Sequence, residues 1–316
     1  MKHRQSNRRH ARFFALSVLV VLWAGGCVDP SNIYVDSTAT GPGCGSEDHP
    51  FRSIQLGLTL VTEGGTVHVA EGEYHENLVV RKPLTLQGAG SDRTLLVCDV
   101  ASNGIEIQAG DVTVSGFSIA GEGSPNPEEV PVAGLYARNV DNITIRDNEI
   151  GPYSGWGLIV GNGSGIQIEN NLVQQITDQP AFPYDATGIS VHMLNGSVWG
   201  NTSSHNVHGM FVSGERGSEF SLSLTGNLIE NNDYWGMVFY DAYLISDFSN
   251  NQILGNGGPG LSALDVSEWF ACQIAGGSDC EEPTTEIGVC EHNVIGGNNP
   301  DFDAGFGYVP GCIDPP

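Results

Sequence analysis

Seven times along the chain, a glycine is followed by an apolar, a variable and a second apolar residue. The runs are Gly104-Ile-Glu-Ile, Gly134-Leu-Tyr-Ala, Gly157-Leu-Ile-Val, Gly188-Ile-Ser-Val, Gly209-Met-Phe-Val, Gly236-Met-Val-Phe and Gly260-Leu-Ser-Ala. Successive glycines lie 30, 23, 31, 21, 27 and 24 residues apart. Apolar positions alternating with period two mark a strand with one buried face. A repeat of this length, built from short strands, marks a solenoid. Ile105, Leu135, Leu158, Ile189, Met210, Met237 and Leu261 form one predicted inward column, and Ile107, Ala137, Val160, Val191, Val212, Phe239 and Ala263 the next. Two columns are predicted to face out. One holds Glu106, Tyr136, Ile159, Ser190, Phe211, Val238 and Ser262; the other holds Gln108, Arg138, Gly161, His192, Ser213, Tyr240 and Leu264.

A second strand (Ile143-Thr-Ile145, Ile166-Gln-Ile168, Leu222-Ser-Leu224) precedes a recurring asparagine: Asn148, Asn171, Asn201, Asn227, Asn251 and Asn293. Asparagine tolerates the left-handed backbone of a tight corner. Stacked in register, its amide bonds to the copies above and below, and the spacing predicts such a ladder. Two or three short parallel strands per turn, joined by corners, make an all-β parallel β-helix with coils about 4.8 Å apart. The longer repeats carry loop insertions at corners.

A solenoid's open ends need covers. Asp48-His-Pro50 reads as a helix start, with Phe51, Ile54, Leu58 and Val61 on one face and Gly64-Gly65 as its end. Thr66-Val-His-Val69, Leu78-Val-Val80 and Leu84-Thr-Leu86 open the first coils. The pattern divides the chain into a signal (1–26), a short tether (27–32), an N-terminal cap with the first coils (33–90) and repeats (91–265). A last coil with a cysteine-rich C-terminal cap (266–316) closes it.

Lys2, Arg4, Arg8, Arg9 and Arg12 precede an apolar stretch from Phe13 to Trp23, too short to span a bilayer. Ala24-Gly-Gly-Cys27 resembles the bacterial lipobox, which implies a lipid on Cys27 and a cell-envelope location, the alternative being secretion. Setting Cys27 aside leaves Cys44, Cys98, Cys272, Cys280, Cys290 and Cys312. An even number fits three disulfides in an oxidising compartment, with the pairing open. Beyond the signal, seven basic residues face 37 acidic ones, a formal charge of −30. No basic stripe exists to release counterions, so nucleic acid is not an expected partner. Anionic polysaccharide would be repelled unless a divalent cation such as Ca2+ bridged it.

The segments Ile33-Tyr-Val-Asp36, His49-Pro-Phe-Arg-Ser-Ile54, Gly65-Thr-Val-His-Val-Ala-Glu-Gly-Glu-Tyr74 and Leu84-Thr-Leu-Gln-Gly-Ala-Gly90 resemble the N-terminal cap of pectate-lyase-like β-helix proteins. The repeats from 104 to 295 resemble the same superfamily's generic coil. The resemblance implies right-handed winding and a glycan groove on the outer face of one sheet, and leaves the activity open. Gly72-Glu-Tyr74-His-Glu76 is similar to the opening motif of pectin methylesterases, but the Gln-Asp pair and Asp-Phe-Ile-Phe-Gly run of those enzymes are missing. So are the Asp-Pro-His core of mannuronan epimerases and a pectate-lyase calcium-aspartate cluster.

Arg138, His192 and Tyr240 share one outward column. Nearby loops add Tyr153, Trp156, Tyr184, Asp185, His205, His208, Asp233, Trp235 and Asp241. Rings stack on sugar faces and carboxylates accept hydroxyl hydrogens. Tyr136, Tyr153, Trp156, Tyr184, His208, Asp233 and Trp235 are therefore candidates for carbohydrate binding. Arg138, Asp185, His192, Tyr240 and Asp241 are the catalytic candidates. A glycosidase would use two carboxylates from Asp185, Asp233 and Asp241. A uronate lyase would use Arg138 as cation and His192 or Tyr240 as base. A binding groove needs no titrating pair. His205 with His208, and Asp301 with Asp303, are possible metal ligands at weak spacing. The leading expectation is an envelope protein that binds glycans or acts as a scaffold, the alternative a polysaccharide hydrolase or lyase.

Overall fold

The computed structural model describes residues 29–122, 132–178, 186–214, 221–240, 244–264, 286–301 and 312–314. The chain winds as a right-handed parallel β-helix with three strand faces. The glycine-led face stacks Leu78–Val80, Ile105–Ile107, Ala133–Arg138, His208–Ser213, Met237–Tyr240 and Leu261–Leu264, with the first halves of Trp156–Glu169 and Thr187–Trp199 between them. A second face runs from Asn32–Val35 through Thr66–Val69, Leu84–Gly88, Val112–Ser115 and Ile143–Arg146 to Glu286–Glu291. The third runs from Gly72–His75 to Ile313–Asp314. Every pairing along these faces is parallel.

The predicted inward columns stack as expected. Ile105 pairs with Leu135, then Leu158, Ile189, Met210, Met237 and Leu261 follow in register, all buried. The leading glycine has a steric cause. A Cβ at Gly134 would lie 2.6 Å from Ile150 Cγ2, and one at Gly236 would lie 2.6 Å from Ile253 Cγ2. Both aliphatic side chains come from the third face, so the strand enters where a side chain already fills the interior.

The asparagine ladder is present and buried. Asn148 Nδ2 donates to Asn171 Oδ1 at 3.1 Å, Asn171 to Asn201 at 2.9 Å, Asn201 to Asn227 at 3.1 Å, and Asn227 to Asn251 and Asn251 to Asn293 at 3.0 Å. The left-handed residue of the corner is not the ladder asparagine but the one before it: Asp147, Asn170, Gly200, Gly226, Asn250 and His292. That residue turns the chain, which frees the next side chain to point inward. A second ladder runs five residues later, at the opposite corner of the third face, through Asn206, Asn232, Asn256 and Asn298. Asp301 Oδ1 ends it, accepting from the Asn298 backbone N–H at 2.9 Å and its Nδ2 at 3.1 Å. The Asp301 carboxylate, offered above as a possible metal ligand, is thus engaged in capping the ladder.

The cap helix is shorter than expected, Ile54–Leu60. Ser53 is its N-cap and accepts from Leu56 N. Pro50 and Phe51 precede it, because Phe51 continues as an extended bridge to Val35, with its N–H on the Tyr34 carbonyl. The C-terminal segment is less of a departure than expected. Glu286–Glu291 and Asn293–Gly296 extend the coil, and a Cys290–Cys312 disulfide pins its end.

One cysteine assignment is corrected. Cys98 is a free, buried thiol, not a disulfide partner. It occupies an inward strand position, where a Cβ on Gly104 would come within 3.0 Å of its sulfur, and burial pushes its pKa up to about 12. Cys44 is disulfide-bonded. With Cys98 free, the six other cysteines include Cys27, so counting pairs no longer argues for a lipid there. Cys27, Cys272 and Cys280 lie outside the described residues.

Candidate functional site on the glycine-led face

The two outward columns of this face are in register as read from the sequence. Arg138 pairs with Gly161, Gly161 with His192, His192 with Ser213, and Ser213 with Tyr240. Their exposure differs from expectation. Ile159, Ser190, Val238 and Ser262 point away from the core yet are buried, Ile159 and Ser262 completely. Tyr136 and Phe211 are half-buried. In sequence, residues 123–131 and 179–185 precede strands of this face, and 215–220, 241–243 and 265–285 follow others.

His192 is held from both sides. Its Nε2 is 2.8 Å from Ser190 Oγ, on its own strand, and its Nδ1 is 2.5 Å from Ser213 Oγ, on the next coil. The Phe211 ring centre is 6.1 Å away. Burial pushes the imidazole down to about 4, and the Arg138 guanidinium pushes the same way. The ring is therefore neutral near pH 7. One nitrogen donates to one serine and the other accepts from the second. With both nitrogens occupied by hydroxyls, His192 has no free lone pair for a proton on a sugar ring carbon, which argues against its role as a lyase base.

Arg138 lies over Gly161. A Cβ there would sit 2.9 Å from His192 Cβ and 3.0 Å from the His192 carbonyl oxygen, too close for a side chain, so glycine is what lets the His192 strand pack here, with Arg138 Nε at an ordinary contact distance of 3.5 Å. Arg138 Nε is buried with no hydrogen-bond partner among the described residues.

The aromatic candidates gather elsewhere on the face. His208 is buried and stacks on Trp235, with ring centres 4.8 Å apart at 24°. Tyr234 tilts against the same imidazole at 5.7 Å and is 44% exposed. Asp233 is exposed beside them, and Trp156 is half-buried at the head of its own strand. His208 lies five residues before Ser213 on one strand, a distance of about 16 Å. The single groove expected from the sequence is therefore two clusters on one wall: a ring ledge at the leading corner and a Ser-His-Ser chain at the trailing end.

Tyr153 is removed from the site. It is 2% exposed, and its hydroxyl donates to the Ser102 carbonyl at 2.9 Å. Its ring packs over Gly121, where an added Cβ would come within 2.9 Å. It fills the coil interior, and burial raises its phenol pKa. Tyr184, Asp185 and Asp241 lie outside the described residues, as does the Tyr240 side chain. Among the described residues, no three His, Cys, Asp or Glu side chains converge as a metal site. His205 is the left-handed corner residue before Asn206, which accounts for its place. Sequence reasoning missed Tyr234, the most exposed ring of the ledge. It also passed over Ser190 and Ser213, although it had placed both serines in the columns beside His192.

The sequence profile of a family described as "Protein of unknown function (DUF1565)" matches residues 38–260. The uncharacterized protein YwoF of Bacillus subtilis is 26% identical over 200 residues, covering 55% of this chain and 41% of YwoF. A cell surface glycoprotein of Methanothermus fervidus is 34% identical over 110 residues, 34% of this chain and 17% of that protein. The chain thus spans less than half the length of either relative. Among solved structures, a GH136 lacto-N-biosidase from Eubacterium ramulus aligns at a TM-score of 0.46 and 13% identity, covering 90% of this chain and 67% of that one. Pectin methylesterase PemA from Erwinia chrysanthemi aligns at 0.40 and 12%, covering 81% and 99%.

Proposed function

Because the chain belongs to the DUF1565 family of right-handed β-helix proteins, which shares a fold and leaves the chemistry open, we propose a role from its own side chains: an exported cell-envelope protein that binds a neutral glycan on the glycine-led face. The observation that carries this is the ledge of His208, Trp235 and the exposed Tyr234. Two rings braced on a third give a rigid apolar platform of the kind that stacks on a sugar face. Asp233, exposed beside it, supplies a hydroxyl acceptor. The formal charge of −25 for the whole chain favours a neutral polymer over an anionic one.

Export rests on residues 1–26, and the lipobox resemblance of Ala24-Gly-Gly-Cys27 supports an anchor on Cys27. The relative from Methanothermus fervidus is a cell surface glycoprotein, in keeping with that placement.

An array of neutral, acylated and acidic oligosaccharides tests the reading. Saturable binding to neutral or acylated glycans is expected, weakened about tenfold or more in Trp235→Ala and Tyr234→Ala, equivalent to about 1.4 kcal/mol. A blank array, or binding indifferent to both substitutions, would overturn it.

A further inference from the structure

We propose that Ser213 and His192 form an ester-cleaving pair, with Ser190 as a positioning residue, acting on acyl groups carried by the glycan bound along this wall. The pair sits at the end of two adjacent strands whose pairing fixes their spacing. Ser213 Oγ lies 2.5 Å from His192 Nδ1, within reach for hydroxyl activation. On the other side of the ring, Ser190 Oγ lies 2.8 Å from Nε2. Ser190 is buried and Ser213 half-buried, which separates their roles. The buried hydroxyl accepts Nε2–H, fixes the tautomer and leaves Nδ1 as the acceptor that faces the accessible serine. This is the logic of a nucleophile, a base and a group that orients the base.

The step balances as an ester hydrolysis. Ser213 Oγ bonds to the acyl carbonyl carbon while its proton passes to His192 Nδ1. The bond from that carbon to the sugar oxygen breaks, and the sugar oxygen leaves with the proton from His192. Water then adds to the acyl-serine, giving a proton to Nδ1, and Ser213 departs with it. Ester and water become carboxylic acid and alcohol, with no oxidant, metal or cofactor consumed. Burial, with the Arg138 guanidinium acting in the same direction, disfavours the imidazolium, so His192 stays unprotonated into mildly acidic solution.

The acylated sugar as substrate rests on the glycan reading above; the Ser-His chemistry does not. The test therefore uses small probes on the full chain: an alkyl fluorophosphonate, mapped by peptide mass, and p-nitrophenyl acetate. An adduct on Ser213 is expected, together with p-nitrophenol release that Ser213→Ala abolishes. His192→Gln should slow labelling by about 10²-fold or more, the usual contribution of a general base. Ser190→Ala should alter the pH profile of labelling, and Ser190→Thr should restore it. Wild-type labelling should hold to about pH 5 and fall with a midpoint near 4, a readout that needs no variant to fold. No adduct on Ser213 in folded wild type, labelling unaffected by His192→Gln, or a profile flat through pH 3 would each overturn the proposal. Ester cleavage with a blank glycan array would keep this pair and discard the neutral-glycan reading.

Discussion

At the scale of single residues, the ladder asparagines carry a large share of the order in this chain. Asn227 shows why. Its Nδ2 donates to the Val198 carbonyl at 2.9 Å and to Asn251 Oδ1 at 3.0 Å, while its Oδ1 accepts from both the backbone N–H and the Nδ2 of Asn201 at 3.1 Å. Alanine there leaves the buried groups of Asn201, Asn251 and Val198 without partners. Asn227→Ala should therefore cost about 3 kcal/mol, the upper end for an orphaned buried polar group, read as a lower urea midpoint. His192 makes a different prediction. Unfolded, its imidazole takes a proton near 6.5; folded, only near 4. Between those values the unfolded chain binds the extra proton, so stability falls as pH drops from about 6.5 to 4. Over that window wild type should lose about 3 kcal/mol more than His192→Gln, from about 1.4 kcal/mol per pH unit. Equal losses in the two proteins would remove His192 as the titrating group.

At the scale of elements, the cap helix is held by a carboxylate from another strand connection. Glu76 accepts from Ser53 Oγ at 2.8 Å, Ile54 N at 2.7 Å and Gln55 N at 3.0 Å, satisfying the helix N-terminus. Glu76→Gln keeps the shape but replaces an anionic acceptor with an amide. It should cost about 1–2 kcal/mol, the value of charge-assisted bonds over neutral ones, and speed amide exchange in residues 54–60 selectively. The strands themselves were legible because period-two alternation and a leading glycine report burial directly. The helix start was misread because Pro50 suits a first turn equally well as an extended bridge, and only the Phe51 pairing with Val35 decides. The second asparagine ladder was not read although Asn206, Asn232, Asn256 and Asn298 each stand five residues after a first-ladder asparagine; Tyr153 and Ile176 hold that position in the two coils before it, and Ile176 N–H still donates to Asn206 Oδ1 at 3.0 Å.

At the scale of the whole molecule, one wall differs from the other two. The second face presents mostly threonine, serine, glutamine and charged side chains, with Tyr34 stacked on His68 near one end and Trp199 exposed further along; the third face turns between its two ladders. Among the described residues, the glycine-led face combines buried outward residues, a ring ledge and a neutral histidine between two hydroxyls. The direction in which each side chain points was readable, because alternation sets it. Exposure was not, because alternation reports the direction of a side chain and not what surrounds it. Ile159 and Val238 read as outward-facing and do point outward yet are buried, and Tyr153 read as a sugar-binding candidate and is core. The central claim is that ligand recognition belongs to this wall. Hydrogen–deuterium exchange of the full chain, with and without the tightest oligosaccharide from the array, tests it most directly. Slower exchange should appear in peptides spanning 133–138, 187–192, 208–213 and 234–240. Slowing confined to 66–69, 84–88 and 112–115 on the second face would contradict it.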